Sequence, residues 1–107
     1  MQKTIFSVLI LLLFFGCIQS SVDSPGFGAV QDCVDLCKAE LFKGTDFSSG
    51  PCIGNPLIEY PDFVCDIAHN PRQEIDNQPE NQCSFFREGK AKHFVELDGS
   101  CNFIQDY

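Results

Sequence analysis

The sequence predicts a small α+β domain, one N-terminal helix on a three-stranded antiparallel meander, held by disulfides. Three observations lead there. Apolar residues and cysteines recur at helical spacing early in the chain, strand-like runs close it, and seven cysteines stand among 107 residues. That density belongs to an oxidising compartment, where disulfides persist. The length suits one domain. A net charge of −8 argues against nucleic acid as a partner, since phosphate neutralisation needs surplus Lys and Arg.

Residues 1–16 read as a signal peptide. Lys3 supplies a positive n-region, and Ile5 to Phe15 is an apolar run with only Ser7 polar. The run is shorter than the roughly 20 apolar residues a membrane-spanning helix needs. It ends in Gly16-Cys17. A small residue followed by Cys directly after the apolar stretch resembles the lipobox of prokaryotic lipoproteins, and most of all that of archaeal surface lipoproteins. The bacterial pattern has Leu and a small residue where Phe14 and Phe15 stand here. The resemblance implies that Cys17 carries lipid at a new N-terminus and that the chain sits on the outer face of the cell membrane. The alternative is plain secretion with cleavage after Ser20. Either route leaves six cysteines, Cys33, Cys37, Cys52, Cys65, Cys83 and Cys101, an even number suited to three disulfides.

Residues 17–28, the lipidated Cys and a stretch rich in Ser and Gly, read as a flexible tether, and 29–107 as the stapled domain. From Ala29 to Phe42 the residues Val30, Cys33, Val34, Cys37 and Leu41 recur at spacings of three and four, predicting an amphipathic helix that stops at Lys43-Gly44. Cys33 and Cys37 then share one buried face. Their Cβ atoms would stand about 5–6 Å apart, too far for a bond that needs about 3.5–4.5 Å. Each is therefore expected to bridge a different downstream segment, at least one of them through Cys83 or Cys101.

Residues 45–82 are punctuated by Gly50-Pro51, Asn55-Pro56, Tyr60-Pro61, Asn70-Pro71 and Gln78-Pro79, which predicts loop. Pro61 to Ala68 reads as a turn or two of helix. Asp76 to Gln82, wholly polar, is expected on the surface. Cys83 to Arg87 and Lys92 to Leu97 read as strands, with His93, Val95 and Leu97 on one face and Phe94 and Glu96 on the other. Asp98-Gly99 predicts a two-residue hairpin turn into a third strand, Cys101 to Ile104.

Chemistry is sparse. His69 and His93, with Lys92, are residue types that can perform acid–base hydrolysis. Asp66, His69, His93 and Glu96 form two acid–His pairs at a spacing of three, which one helix face would gather about a metal but a strand would split. Zinc knuckles, a C-x-x-C redox pair, a nucleophile motif and a phosphate loop are missing from the sequence, and Asp98 to Asn102 fails as a calcium loop. The sequence thus assigns no catalytic residue, no metal site and no cofactor. It is read as a membrane-anchored, surface-exposed, cysteine-rich interaction or structural module with an unidentified protein or surface-layer partner. The alternative is a small metal-dependent or acid–base hydrolase using His69 and His93. Its mature part resembles only the small cysteine-rich lipoproteins of archaeal surfaces.

Overall fold

The computed structural model describes residues 25–107. The signal peptide, Cys17 and most of the expected tether lie outside the described residues. The domain is α+β, with one main helix and a four-stranded mixed sheet.

Helix α1 runs from Pro25 to Lys43. It starts four residues before the expected boundary, so residues 25–28 are helix and not tether. Proline suits the first turn, where its missing N–H would have no partner anyway. Gly28, a weak helix former, stands where the helix meets the Tyr60 ring; a Cβ there would collide with the Tyr60 hydroxyl. The fully buried stripe is Ala29, Cys33 and Cys37, each four residues apart. Val30, Val34 and Leu36 flank it, but Leu41, expected inside, is exposed. The stop is as expected. Gly44 adopts φ 89°, its N–H donates to the Leu41 carbonyl, and the Thr45 N–H donates to the Glu40 carbonyl. These are the paired bonds of a left-handed C-cap.

The meander expectation needs correcting. The sheet has four strands in the order β1 (Cys52–Gly54), β2 (Phe63–Ile67), β3 (His93–Leu97) and β4 (Phe103–Asp106). The outer pairs are antiparallel, whereas β2 and β3 run parallel. Residues 61–68, expected as helical turns, contain the central strand β2. Four of its five residues are buried, because the sheet is covered on both faces there and the usual alternation is lost. Residues 83–87, expected as a strand, are instead a short helix, α2 (Ser84–Arg87). A parallel β2–β3 pair requires a crossover rather than a hairpin. Residues 68–92 supply it, passing through two 3-10 turns (Glu74–Asn77 and Pro79–Asn81) and α2. The side chain of Asn55 ties the start of α2 back to the β1–β2 loop. It donates to the Ser84 hydroxyl at 2.9 Å and accepts from the Phe85 N–H at 2.9 Å.

The β3–β4 turn is longer than the expected two residues. The Cys101 N–H donates to the Asp98 carbonyl, and Cys101 itself takes φ 68°. The left-handed residue in this turn is therefore a half-cystine, where glycine would be the unstrained choice. The Asp98 carboxylate receives the N–H groups of Ser100 and Asn102 at 2.8 and 2.9 Å.

Two apolar layers result. On the inner face α1 packs on Phe63, Cys65, Ile67, Val95 and Leu97. On the outer face α2 places Phe85 and Phe86 over Val64 and Phe94. The three bridges pin both layers: Cys33–Cys65 joins α1 to β2, Cys37–Cys101 joins α1 to the β3–β4 turn, and Cys52–Cys83 joins β1 to the start of α2. Cys33 and Cys37 bond to different downstream segments, one of them Cys101, as their spacing on one helix face requires. Among the described residues no helix is long and apolar enough to cross a membrane.

Candidate functional site

The outer face of the sheet holds the chemistry. Side chains alternate along a strand, so Phe63, Cys65 and Ile67 of β2 face α1 while Val64 and Asp66 face away. The parallel register pairs Val64 with Phe94 and Asp66 with Glu96. Two carboxyl groups therefore stand side by side on adjacent strands. Beyond β3, Gln105 of β4 pairs with Glu96.

Glu96 is buried and satisfied. Its Oε2 receives Arg72 Nη1 at 2.7 Å and its Oε1 receives Gln105 Nε2 at 3.0 Å. Arg72 is held in turn by Asn77 Oδ1 at 2.9 Å and by the Asp76 carbonyl. A buried carboxylate costs little once it has a bidentate-capable cation and a second donor. Asp66 is held less well, with only the Arg72 charge and the Ile67 N–H favouring its carboxylate. Its Oδ1 is buried and receives no hydrogen bond from the described residues. Burial, reinforced by the neighbouring Glu96 charge and only partly offset by Arg72, pushes its carboxyl up to about 7.

Above this floor lies a cavity of about 390 Å³. Val64, Asp66, Phe94 and Glu96 form its base. Phe86 and Arg87 of α2 form one wall, and Arg72 and Gln82 of the crossover another. Phe86 meets Phe94 edge-on with centroids 5.1 Å apart, and Tyr107 stacks on Phe94 at 5.8 Å. The Arg87 guanidinium donates to the Pro79 carbonyl, linking α2 to the second 3-10 turn. The cavity's size and its largely apolar accessible lining suit a small-molecule site.

The histidines are elsewhere. His69 follows the C-terminal end of β2 and bonds through Nδ1 to Asp76 Oδ1 at 2.9 Å. Asp76 Oδ2 also receives the His69 and Gln73 N–H groups. Asp76 is 2% exposed, which corrects the expectation that the whole polar stretch 76–82 lies on the surface. Burial alone would raise its carboxyl, but the Gln73 N–H and the ring and N–H of His69 hold it below the ordinary range. The pair latches the crossover, and Gly50 leaves the space it occupies, since a Cβ there would collide with Asp76.

His93 begins β3, opposite Phe63 in register. It donates from Nδ1 to the main-chain oxygen of Tyr107 at 2.8 Å, stacks on Phe63 at 4.7 Å and lies 3.6 Å from Asp62. It lines a second hollow with Tyr60, Asp62 and Asp106. The length of β2 separates the two imidazoles, about 13 Å for the four steps from Phe63 to Ile67 alone. Of Asp66, His69, His93 and Glu96, the fold brings together only Asp66 and Glu96. Among the described residues no group of three or more His, Cys, Asp or Glu is placed to hold a metal ion. No protein-family model, no curated protein and no solved structure matches this chain.

Proposed function

We propose that this chain is an exported binding module, anchored to the outer face of a membrane through lipid on Cys17. The observation that carries the reading is the stapling of the fold from both faces of one sheet. Cys33–Cys65 and Cys37–Cys101 fix α1 on the inner face, while Cys52–Cys83 fixes α2 on the outer face, beside the cavity. Such bridges form and persist outside the reducing cytosol. They stabilise a small core by restricting the unfolded chain. A preformed cavity on a cross-linked frame favours binding, because little ordering remains to be done when a ligand enters.

Gly16-Cys17 after the apolar run supports the anchor, and seven residues, 18–24, lie between Cys17 and the described part of α1. Seven residues reach at most about 25 Å, which would hold the domain close to the lipid surface. Cys17→Ser tests the reading in cells. The variant is expected in the medium or unprocessed, with the wild type in the membrane fraction. A wild type already soluble, with Ser21 at its N-terminus, would refute the anchor.

A further inference from the structure

We propose that the outer-face cavity binds a small organic ammonium cation with an apolar body, its charge beside Asp66 and its body against Phe86 and Phe94. The inference rests on the reading of the chain as a binding module and names the ligand class of its cavity.

Most of the charges lining the half-open cavity are already engaged. Glu96 and Arg72 neutralise each other at 2.7 Å, and the remaining Glu96 oxygen is taken by Gln105. Arg87, from α2, is exposed and bonded to the Pro79 carbonyl, so its charge is largely screened by water. Asp76, beyond Arg72, has its carboxylate committed to His69 and Gln73. That leaves Asp66 as the acid at the cavity floor with no ion pair among the described residues, favoured only in part by the Arg72 charge and the Ile67 N–H, its Oδ1 buried and without a hydrogen bond from them. An unpaired buried carboxyl is costly, and a cation beside it removes that cost. The largely apolar accessible lining favours a cation that carries its own apolar surface over a small hydrated metal ion. The rings of Phe86 and Phe94 add cation–π attraction to their contact with the body.

Asp66 ionises near neutrality, so a cation that needs its carboxylate binds more tightly as pH rises. With the competent fraction rising from about a tenth to about nine-tenths, affinity should increase about tenfold between about pH 6 and pH 8.

The test uses the full chain in detergent with its bridges intact. Phenethylammonium, charged across this range, is titrated by calorimetry and by amide NMR, with 2-phenylethanol as its neutral counterpart. Asp66→Asn and Phe86→Leu are measured in the same detergent, so that partition into micelles cancels. Saturable binding of the amine is expected, with shifts centred on Asp66 and Phe94 and about tenfold tightening with pH. Asp66→Asn should abolish the pH dependence and weaken binding at least tenfold. Phe86→Leu should weaken binding while keeping the pH dependence. Absence of saturable binding at millimolar amine, equal affinity in Asp66→Asn, or a pH-independent affinity would each overturn the assignment. Those results would leave the anchoring reading untouched, because that reading stands on the fate of Cys17→Ser in cells.

Discussion

Asp66→Asn should change how stability responds to pH, and the size of the change follows from the structure. Asp66 sits on the outer face beside Glu96, with Oδ1 buried and unpartnered. Burial raises its carboxyl from an ordinary 3.8 to about 7. The folded chain therefore binds this proton more tightly than the unfolded chain does. Between the two values the native state is protonated and the unfolded state is not, so wild-type stability falls by about 1.4 kcal/mol for each pH unit. The loss begins near pH 4, totals about 4 kcal/mol, and levels off above pH 7. Asparagine mimics the neutral acid and has no proton to lose. The variant should match the wild type near pH 4 and exceed it by about 4 kcal/mol near pH 8. Asp76 and Asp98 act in the opposite direction at lower pH, their carboxylates being held below the ordinary range. They are common to both proteins and cancel in the difference. Urea unfolding with the bridges intact, at several pH values, measures that difference. A gap that stays constant from pH 4 to pH 8 would refute the claim that Asp66 is desolvated and unpaired.

Two further substitutions probe how α1 is seated. Gly28→Ala puts a methyl group against the Tyr60 hydroxyl and should cost about 1–3 kcal/mol; in a Tyr60→Leu background the cost should shrink, and equal costs in both backgrounds would contradict the contact. Removing the Cys37–Cys101 bridge, which closes the longest loop, should cost about 4 kcal/mol by thermal or urea unfolding. In that background glycine at position 101 should be about 1 kcal/mol more stable than serine, because the residue there holds φ 68°.

The α1 stripe was legible because helical period and cysteine spacing agree, and burying Cys33 and Cys37 on one face excludes a bond between them. Residues 63–67 were not legible as a strand, since burial on both faces erases the alternation that marks one, and the segment reads instead as a turn or two of helix. Residues 84–87 misled in the opposite sense. The aromatic pair Phe85-Phe86 has strand propensity, but Cys52–Cys83 and Asn55 pin the segment over the outer face as a turn of helix. The candidate site shows the same division. Asp66 and Glu96 are visible as acids in the sequence, whereas their adjacency depends on a parallel register between segments 30 residues apart. Crossover topology of that kind is a non-local property. His69 and His93 stand out in the sequence by residue type and by their spacing of three from Asp66 and Glu96, whereas the fold sets them apart, bonded to Asp76 and to the Tyr107 main chain.

Intact mass and non-reducing peptide mapping of the native, detergent-extracted protein test the central claim most directly. The expected result is a chain beginning at Cys17 with added lipid mass, no alkylatable thiol, and bridges joining Cys33 to Cys65, Cys37 to Cys101 and Cys52 to Cys83. A chain beginning at Ser21 without lipid, or two or more free thiols among those six cysteines, would contradict it.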